Sequence, residues 1–192
     1  MEIVIATNNK DKIIEYRNIL KEFNIKCLSL KDLNIVCDPL ETGTTFQENS
    51  LIKAQEIAKF TDKMIIADDS GIEVDELVGE LGVYSHRFLE NESYSVKNAT
   101  VIEMLKDKVK KARYVCVVAL VNLTSEPICF EGICEGIISD EIKGSNGFGY
   151  DPIFMPLGYN NTFGELSSEL KHSISHRGIA TVKLVEYLKG IK

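Results

Sequence analysis

Residues 64–71 have the sequence Met64-Ile65-Ile66-Ala67-Asp68-Asp69-Ser70-Gly71, in which an apolar run meets two adjacent carboxylates. The apolar part is typical of a buried strand, and the pattern predicts that this strand ends at the acidic pair. In open α/β sheets the carboxyl ends of the strands are where ligands bind, and hard oxygen ligands there suit Mg²⁺. The alternative is an Asx turn without a ligand. Because neighbouring side chains of an extended chain point to opposite sides, we expect at most one of the two carboxylates to face a ligand directly.

Outward from this segment, strands and helices alternate along the chain. Apolar runs predict strands at 3–6, 25–30, 64–67, 114–123 and 128–138, the last two forming a hairpin. Helical spacing predicts helices at 13–23, from Thr44 or Thr45 to about 60, at 93–111 and at about 173–188. Glu48, three residues after Thr45, predicts a capping box. This order favours the α/β class, with a long curved mixed sheet flanked by helices. We expect residues 1–192 to form a single domain whose two lobes share the sheet.

Composition excludes several function classes. The formal net charge is −7, from 22 Lys and Arg against 29 Asp and Glu, so the chain lacks the basic field that holds a nucleic-acid backbone. The longest apolar stretch, 114–121, is too short to span a bilayer, and no membrane partner is expected. The five cysteines have no C-x-x-C spacing and are expected to be reduced thiols of the core. Residues 1–12 lack the order of a signal peptide, so we expect a cytoplasmic protein.

Two groups of residues are candidates for binding phosphate. The first follows the opening strand and consists of Thr7, Asn8, Asn9, Lys10, Asp11 and Lys12. Backbone N–H groups at a helix start, together with amides, a hydroxyl and two lysines, attract an anion. The alternative is a solvated helix start. The second candidate is Lys53, on the helix after Thr45, for which a solvated surface lysine is the alternative.

Two further groups are candidates for binding an aromatic or carbonyl-bearing ligand. One is Gly147-Phe148-Gly149-Tyr150-Asp151-Pro152, where glycine lets the backbone approach a ligand, aromatic faces can stack on a base and a carboxylate can accept hydrogen bonds. The alternative is a glycine-rich turn whose aromatic rings pack in the core. The other group contains Lys171, His176 and Arg177, three cationic or potentially cationic side chains that favour an anion or a carbonyl. A structural role is the alternative for His176.

Six segments, in this order, resemble the motifs of the inosine triphosphate pyrophosphatase family. They are Ala6-Thr7-Asn8-Asn9-Lys10-Asp11-Lys12, Thr42-Gly43-Thr44-Thr45-Phe46-Gln47-Glu48-Asn49, Ile66-Ala67-Asp68-Asp69-Ser70-Gly71, Gly82-Val83-Tyr84-Ser85, Gly147-Phe148-Gly149-Tyr150-Asp151-Pro152-Ile153-Phe154 and Ile174-Ser175-His176-Arg177-Gly178. The resemblance covers nearly the whole chain. It implies a two-lobed α/β fold with the active cleft between the lobes, usually a homodimer. The implied reaction is a Mg²⁺-dependent cut between the α- and β-phosphates of inosine, deoxyinosine or xanthosine triphosphate.

The resemblance also implies a role for each candidate residue. Residues 7–12 and Lys53 hold the phosphates, Asp69 binds the metal and is the general base, and Ser70 touches the substrate. The implied nucleobase side consists of Phe148, Gly149, Tyr150, Asp151, Lys171, His176 and Arg177.

The chain departs from the family pattern at several positions. Leu40 stands where the family usually has a metal-binding glutamate, and we expect Glu41 to replace it. Other departures are Asn8, Leu81, His86 and Leu170. Two alternative functions are a Maf-type pyrophosphatase, which prefers pyrimidine or modified nucleotides, and a regulator that binds nucleotide without turnover.

Overall fold

Six strands form one sheet in this computed structural model, which describes residues 1–191. The strands are β1 (Glu2–Ile5), β2 (Lys26–Ser29), β3 (Ile65–Val74), β4 (Lys111–Val121), β5 (Ile128–Ile138) and β6 (Phe154–Pro156). Their spatial order is β2-β1-β3-β4-β5-β6. Strand β1 pairs in parallel with β2 and β3, whereas β5 and β6 are antiparallel. The sheet is therefore mixed, as the sequence predicts.

Five α-helices accompany the sheet within the described residues. They are α1 (Lys10–Lys21), α2 (Phe46–Ala58), α3 (Tyr94–Met104), α4 (Ser168–Ile174) and α5 (His176–Gly190). The predicted capping box is confirmed at the start of α2, where Thr45 and Glu48 bond each other's backbone N–H groups. The predicted class, α/β with a mixed sheet and flanking helices, is confirmed. None of the helices within residues 1–191 combines the length and the hydropathy that a membrane span requires.

The prediction that a strand ends at the acidic pair is wrong. Strand β3 continues through Asp68 and Asp69 as far as Val74. The apolar β-branched residues Ile72 and Val74 follow the pair within the strand. They are only 0% and 3% exposed, so this part of the strand is also buried. The two carboxylates therefore lie within an extended strand, and the Asx-turn alternative does not describe them.

Two predicted helices differ from the structure by more than three residues at one end. Helix α3 ends at Met104, and the chain then turns with Asp107 at a left-handed φ of 60° before β4 begins. The single helix predicted at about 173–188 is two helices, α4 and α5, separated by Ser175 in an extended conformation. This break places His176 at the first position of α5. Strand β6 was not predicted, since three residues are too few to show a periodic pattern.

The chain divides into two compact units. Unit 1 consists of Met1–Asp69, Cys116–Gly132 and the segment that begins at Arg177, and unit 2 consists of Ser70–Val115 and Ile133–His176. That the whole chain acts as one domain stays a prediction.

Each unit has its own hydrophobic core. In unit 1, alternate residues of β1 enter two clusters: Ile3 and Ile5 pack with α1 and α5, and Val4 packs with α2. This alternation follows from the two-residue period of a strand, so helices cover both faces of the sheet in this unit. The core of unit 2 includes residues of α3, β4 and the β5–β6 pair.

Candidate active site

The predicted phosphate loop lies at the junction of β1 and α1, as expected. Asn9 is the N-cap of α1, since its side-chain oxygen accepts from the backbone N–H groups of Asp11 at 2.9 Å and Lys12 at 3.2 Å. The Thr7 hydroxyl oxygen accepts from the Asn9 N–H at 3.2 Å. The amide of Asn8 donates to the next loop, at the Cys37 carbonyl and the Asp38 carboxylate, both at 3.1 Å. These side chains fix the loop; their contact with a substrate stays a prediction.

One acidic side chain of β3, Asp68, binds two cations inside unit 1. Its Oδ2 atom lies 2.9 Å from the Lys12 Nζ and 3.0 Å from an Arg177 guanidinium nitrogen. The other terminal nitrogen of Arg177 donates to Glu15 Oε2 at 2.5 Å. The side chains of Asp68 and Arg177 are 0% and 1% exposed. We call Lys12, Glu15, Asp68 and Arg177 the buried charge cluster.

The charges in this cluster stabilise one another. Burial opposes the charge on Asp68, but Lys12 and Arg177 outweigh it and hold the pKa of that carboxyl far below its usual range. Burial likewise opposes the charge on Arg177, while Asp68 and Glu15 raise its pKa well above the ordinary value. Removing one member of such a buried pair leaves an uncompensated charge in the core. The stability of unit 1 therefore depends on every member of this cluster.

The second carboxylate, Asp69, has different partners. Its Oδ2 accepts from the Asn49 amide at 3.0 Å, and its Oδ1 lies 3.5 Å from the Lys53 Nζ. Lys53 in turn donates to Glu41 Oε1 at 2.5 Å. Glu41 and Asp69 therefore contact one lysine, which lies between the loop before α2 and strand β3.

The pKa values in this second group move in the same direction for different reasons. Burial raises the pKa of Asp69 above its usual range, although Lys53 opposes the shift. Burial would lower the pKa of Lys53, but Asp69, Asp68 and Glu41 outweigh it and raise that pKa. Because three carboxylates stabilise the charged form of Lys53, its side chain stays protonated. For Asp69, burial is the largest cause and the negative charge of Glu41 adds to the rise, while Lys12 and the Asn49 amide oppose it, so this carboxylate is more basic than an exposed aspartate.

Glu41 and Asp69 also have the chemistry of a magnesium site. Within residues 1–191, no group of three or more His, Cys, Asp or Glu side chains gathers as a ready-made metal site. Mg²⁺ in nucleotide enzymes is commonly held by one or two carboxylates plus water and substrate phosphates. Two carboxylates that already share a cation, Lys53, fit that requirement. Leu40 has no acidic group and is 81% exposed. The adjacent Glu41 is the carboxylate of this loop that contacts Lys53, which in turn contacts Asp69.

In unit 2, a second buried ion pair organises the glycine-rich loop. Asp151 Oδ2 accepts from the Lys171 ammonium at 2.6 Å and from the Phe148 N–H at 2.7 Å. The ammonium also lies 5.0 Å from the centre of the Phe148 ring. Gly147 has a φ of +72°, and a Cβ there would meet Asp151 Oδ2 at 2.0 Å. Only glycine fits this position, so the loop is built around the carboxylate.

The other predicted nucleobase residues of unit 2 pack among aromatic rings. Tyr150 donates its hydroxyl to the Ser85 carbonyl at 2.8 Å, and burial raises its pKa. The ring of His176 stacks on Tyr114 at 4.4 Å with planes 5° apart. Gly149 has a φ of +67°, which favours glycine. Ser70 is partly exposed and lies in β3.

Arg177 lies in a different setting from the one the resemblance implies. It belongs to unit 1, whereas its neighbour His176 belongs to unit 2. Its guanidinium donates to Glu15 and Asp68 within the buried charge cluster. A contact of Arg177 with a nucleobase stays a prediction, and it would require at least one of these hydrogen bonds to be exchanged.

Sequence reasoning missed two side chains that this site uses. Glu15 and Asn49 received no chemical role from their local pattern, and the acidic pair gave no signal that Asp68 is the member that binds Lys12 and Arg177. A weak signal existed for Glu15, which is an acid on the apolar side of α1 beside Tyr16. Asn49 precedes Lys53 by four residues, so the two share one face of α2.

Known proteins resemble the chain over its whole length. The model of the Ham1 family matches residues 3–187. A protein of Clostridium perfringens named dITP/XTP pyrophosphatase is 43% identical, with 99% of this chain and 98% of that protein covered. A protein of the same name from Desulforamulus reducens is 42% identical, with 100% and 97% covered. The solved structure of the Staphylococcus aureus Ham1 protein superimposes with a TM-score of 0.88 at 39% identity and covers both chains fully.

Proposed function

Because this chain belongs to the Ham1 family, we propose that it hydrolyses non-standard purine nucleoside triphosphates to the monophosphate and pyrophosphate. The substrates are the deoxyinosine, inosine and xanthosine triphosphates. Full-length relatives named dITP/XTP pyrophosphatase support this assignment. The observation that carries it is the Asp69 group: a buried carboxylate held by Asn49, facing a lysine that it shares with Glu41.

Residues of unit 1 bind the triphosphate in this proposal. A triphosphate carries about four negative charges, which cationic side chains must offset inside an acidic protein. Lys10 and Lys12, on the first turn of α1, supply positive charge beside the N-terminus of that helix, and Lys53, in the middle of α2, supplies further positive charge. The raised pKa of Lys53 keeps its ammonium charged throughout the physiological range.

Asp69 is the general base of the proposed reaction. It orients the attacking water and accepts its proton as the water attacks phosphorus. Burial makes this carboxylate a better base than an exposed aspartate, and the Asn49 hydrogen bond fixes its orientation. Glu41 and Asp69 would hold Mg²⁺, which when bound supplies positive charge against the leaving pyrophosphate and lowers the pKa of bound water. The Lys53 ammonium adds positive charge beside Glu41 and Asp69.

Residues of unit 2 bind the nucleobase in this proposal. Inosine and xanthosine carry an oxygen acceptor at purine position 6, where adenosine carries an amino donor. Lys171 and His176 can donate to that oxygen, and the Phe148 ring can stack on the base. A site built from donors leaves N–H facing N–H when adenosine enters, and such unpaired buried groups lower kcat/KM strongly. Contacts of Ser70, Gly149 and Tyr150 with the substrate and the homodimer stay predictions of the resemblance, and the cytoplasmic location stays a prediction from the N-terminal sequence.

A panel of nucleoside triphosphates with Mg²⁺ tests the function directly. Pyrophosphate and orthophosphate are measured separately under multiple turnover, with EDTA as the metal control and Asp69→Asn as the catalytic control. We expect pyrophosphate from the deoxyinosine and xanthosine substrates, and a loss of at least ~10²-fold in kcat for the variant with its fold intact. Preferred release from pyrimidine substrates would indicate a Maf-type enzyme. Nucleotide binding without any product would indicate a regulator.

A further inference from the structure

Asn49 occupies an unusual position for an uncharged polar side chain. It lies in the first turns of α2 and is 0% exposed. A buried amide is costly unless its donor and acceptor both find partners, and here both do. One partner lies in the loop that carries Glu41, and the other is Asp69; the proposed function uses both carboxylates.

The amide oxygen of Asn49 holds the loop that carries Glu41. It accepts the backbone N–H of Gly43 at 2.8 Å. The loop lies so close to the helix that a Cβ at Gly43 would meet the Asn49 oxygen at 2.8 Å and the Glu48 Cβ at 2.6 Å. Glu41 is two residues earlier, so this bond fixes the base of the segment that presents its carboxylate.

The amide nitrogen of Asn49 holds the proposed general base. It donates to Asp69 Oδ2 at 3.0 Å, while Asp69 Oδ1 is the oxygen nearest Lys53. The two carboxylate oxygens are thus distinguished by their partners. Lys53 follows Asn49 by four residues on the same face of α2 and contacts the same loop and the same aspartate.

We propose that Asn49 is a positioning residue, which orients the Asp69 carboxylate and fixes the Glu41 loop relative to it. This inference rests on the proposed function. An amide suits the task because it holds a carboxylate through a neutral donor and adds no charge beside the proposed metal ligands. Hydrogen-bond partners of this kind, one shell away from the reacting atoms, commonly contribute 10- to 100-fold to activity or metal affinity.

Two substitutions separate the two hydrogen bonds. Asn49→Asp keeps an oxygen that accepts from Gly43 but replaces the donor to Asp69 with a second carboxylate. Asn49→Ala removes both bonds and adds no charge. Ser50→Ala is the matched control, because Ser50 is also 0% exposed on α2 but bonds the Gln47 carbonyl of its own helix and the Cys129 thiol rather than Gly43 or Asp69.

The experiment combines steady-state kinetics with hydrogen exchange of the peptide that contains Gly43. We expect both Asn49 variants to lose about 10- to 100-fold in kcat with KM within a few-fold, and Ser50→Ala to match the wild type. Exchange at Gly43 should accelerate in Asn49→Ala and stay slow in Asn49→Asp, with no metal or nucleotide present.

Each outcome identifies which idea fails. A wild-type kcat for Asn49→Asp would overturn the positioning role, as would a loss confined to Asn49→Ala, because the loop bond alone would then matter. If the wild type releases no pyrophosphate from any purine triphosphate, the proposed function fails. The exchange pattern then still decides whether Asn49 fixes the loop, and unchanged exchange in Asn49→Ala would overturn that part.

Discussion

Replacing Asp68 with asparagine should destabilise the folded chain strongly. Its carboxylate is 0% exposed and is the shared partner of Lys12 at 2.9 Å and Arg177 at 3.0 Å. The substitution keeps the shape of the side chain and removes one charge, so it leaves cations in the buried charge cluster with too little negative charge. Removing one member of a buried ion pair costs roughly 3–5 kcal/mol in the free energy of unfolding.

The structure places the expected cost near the lower end of that range. Glu15 still accepts from Arg177 in the variant, and the Lys12 side chain is 14% exposed and can regain water. We therefore expect about 3 kcal/mol. In a chain of this size each kcal/mol lowers the unfolding midpoint by roughly 2–4 °C, so the midpoint should fall by roughly 6–12 °C.

The pH dependence provides a sharper signature of the same charge. The pKa of Asp68 is held below its ordinary value in the folded chain. Its contribution to stability is therefore fully present above the unfolded-state pKa of about 3.9 and is lost as the pH falls below that value. The difference in unfolding free energy between wild type and Asp68→Asn should be constant from pH 7 to pH 5. It should then shrink by about 1.4 kcal/mol per pH unit below pH 3.9.

Urea unfolding followed by circular dichroism, in EDTA at several pH values, measures both effects. The control is Glu56→Gln, which removes a carboxylate that pairs with Lys59 on the surface, where the two side chains are 41% and 63% exposed. Its midpoint should stay within experimental error of the wild type. The reasoning is refuted if Asp68→Asn unfolds at the wild-type midpoint, or if its deficit persists unchanged at pH 3.

Three further outcomes test other parts of the site. Glu41→Gln should raise the Mg²⁺ concentration needed for half-maximal rate, and an unchanged metal titration would show that Glu41 is only a loop carboxylate. Arg177→Ala should lower the unfolding midpoint, because two buried carboxylates lose their shared guanidinium. A wild-type midpoint with a selective loss of kcat/KM for the deoxyinosine substrate would instead assign Arg177 to the nucleobase. Burial raises the pKa of both Cys116 and Cys134 to about 12, so a thiol reagent at pH 8 should label them only after unfolding; rapid native labelling would contradict this.

Local chemistry explains the features that the sequence predicted well. The capping box of α2 needs only Thr45 and Glu48, three residues apart. Strand β4 contains a long apolar run, and β5 has the predicted bounds, Ile128–Ile138. Such features depend on neighbours along the chain, and a single sequence contains that information.

Long-range pairing explains what the sequence did not predict. Arg177 and Glu15 are 162 residues apart, so no local pattern links them. Aspartate is unfavourable in a strand interior, so the sequence alone predicts that β3 ends at Asp68. The strand continues because α1 supplies Lys12 and α5 supplies Arg177 as buried partners. Tertiary contacts from two distant segments thus override the local preference.

The alternation of side chains along β3 accounts for the different chemistry of the two adjacent aspartates. Ile66 belongs to the cluster that α1 and α5 cover, and Asp68, two residues later, meets Lys12 and Arg177 from those helices. Ile65 and Ala67 belong to the cluster that α2 covers, and Asp69 accordingly meets Asn49 and Lys53 of that helix. A shift of one residue in β3 would move both carboxylates to the opposite faces. The register of the strand, more than the acidity of either residue, therefore decides which aspartate is neutralised in the core and which is available for chemistry.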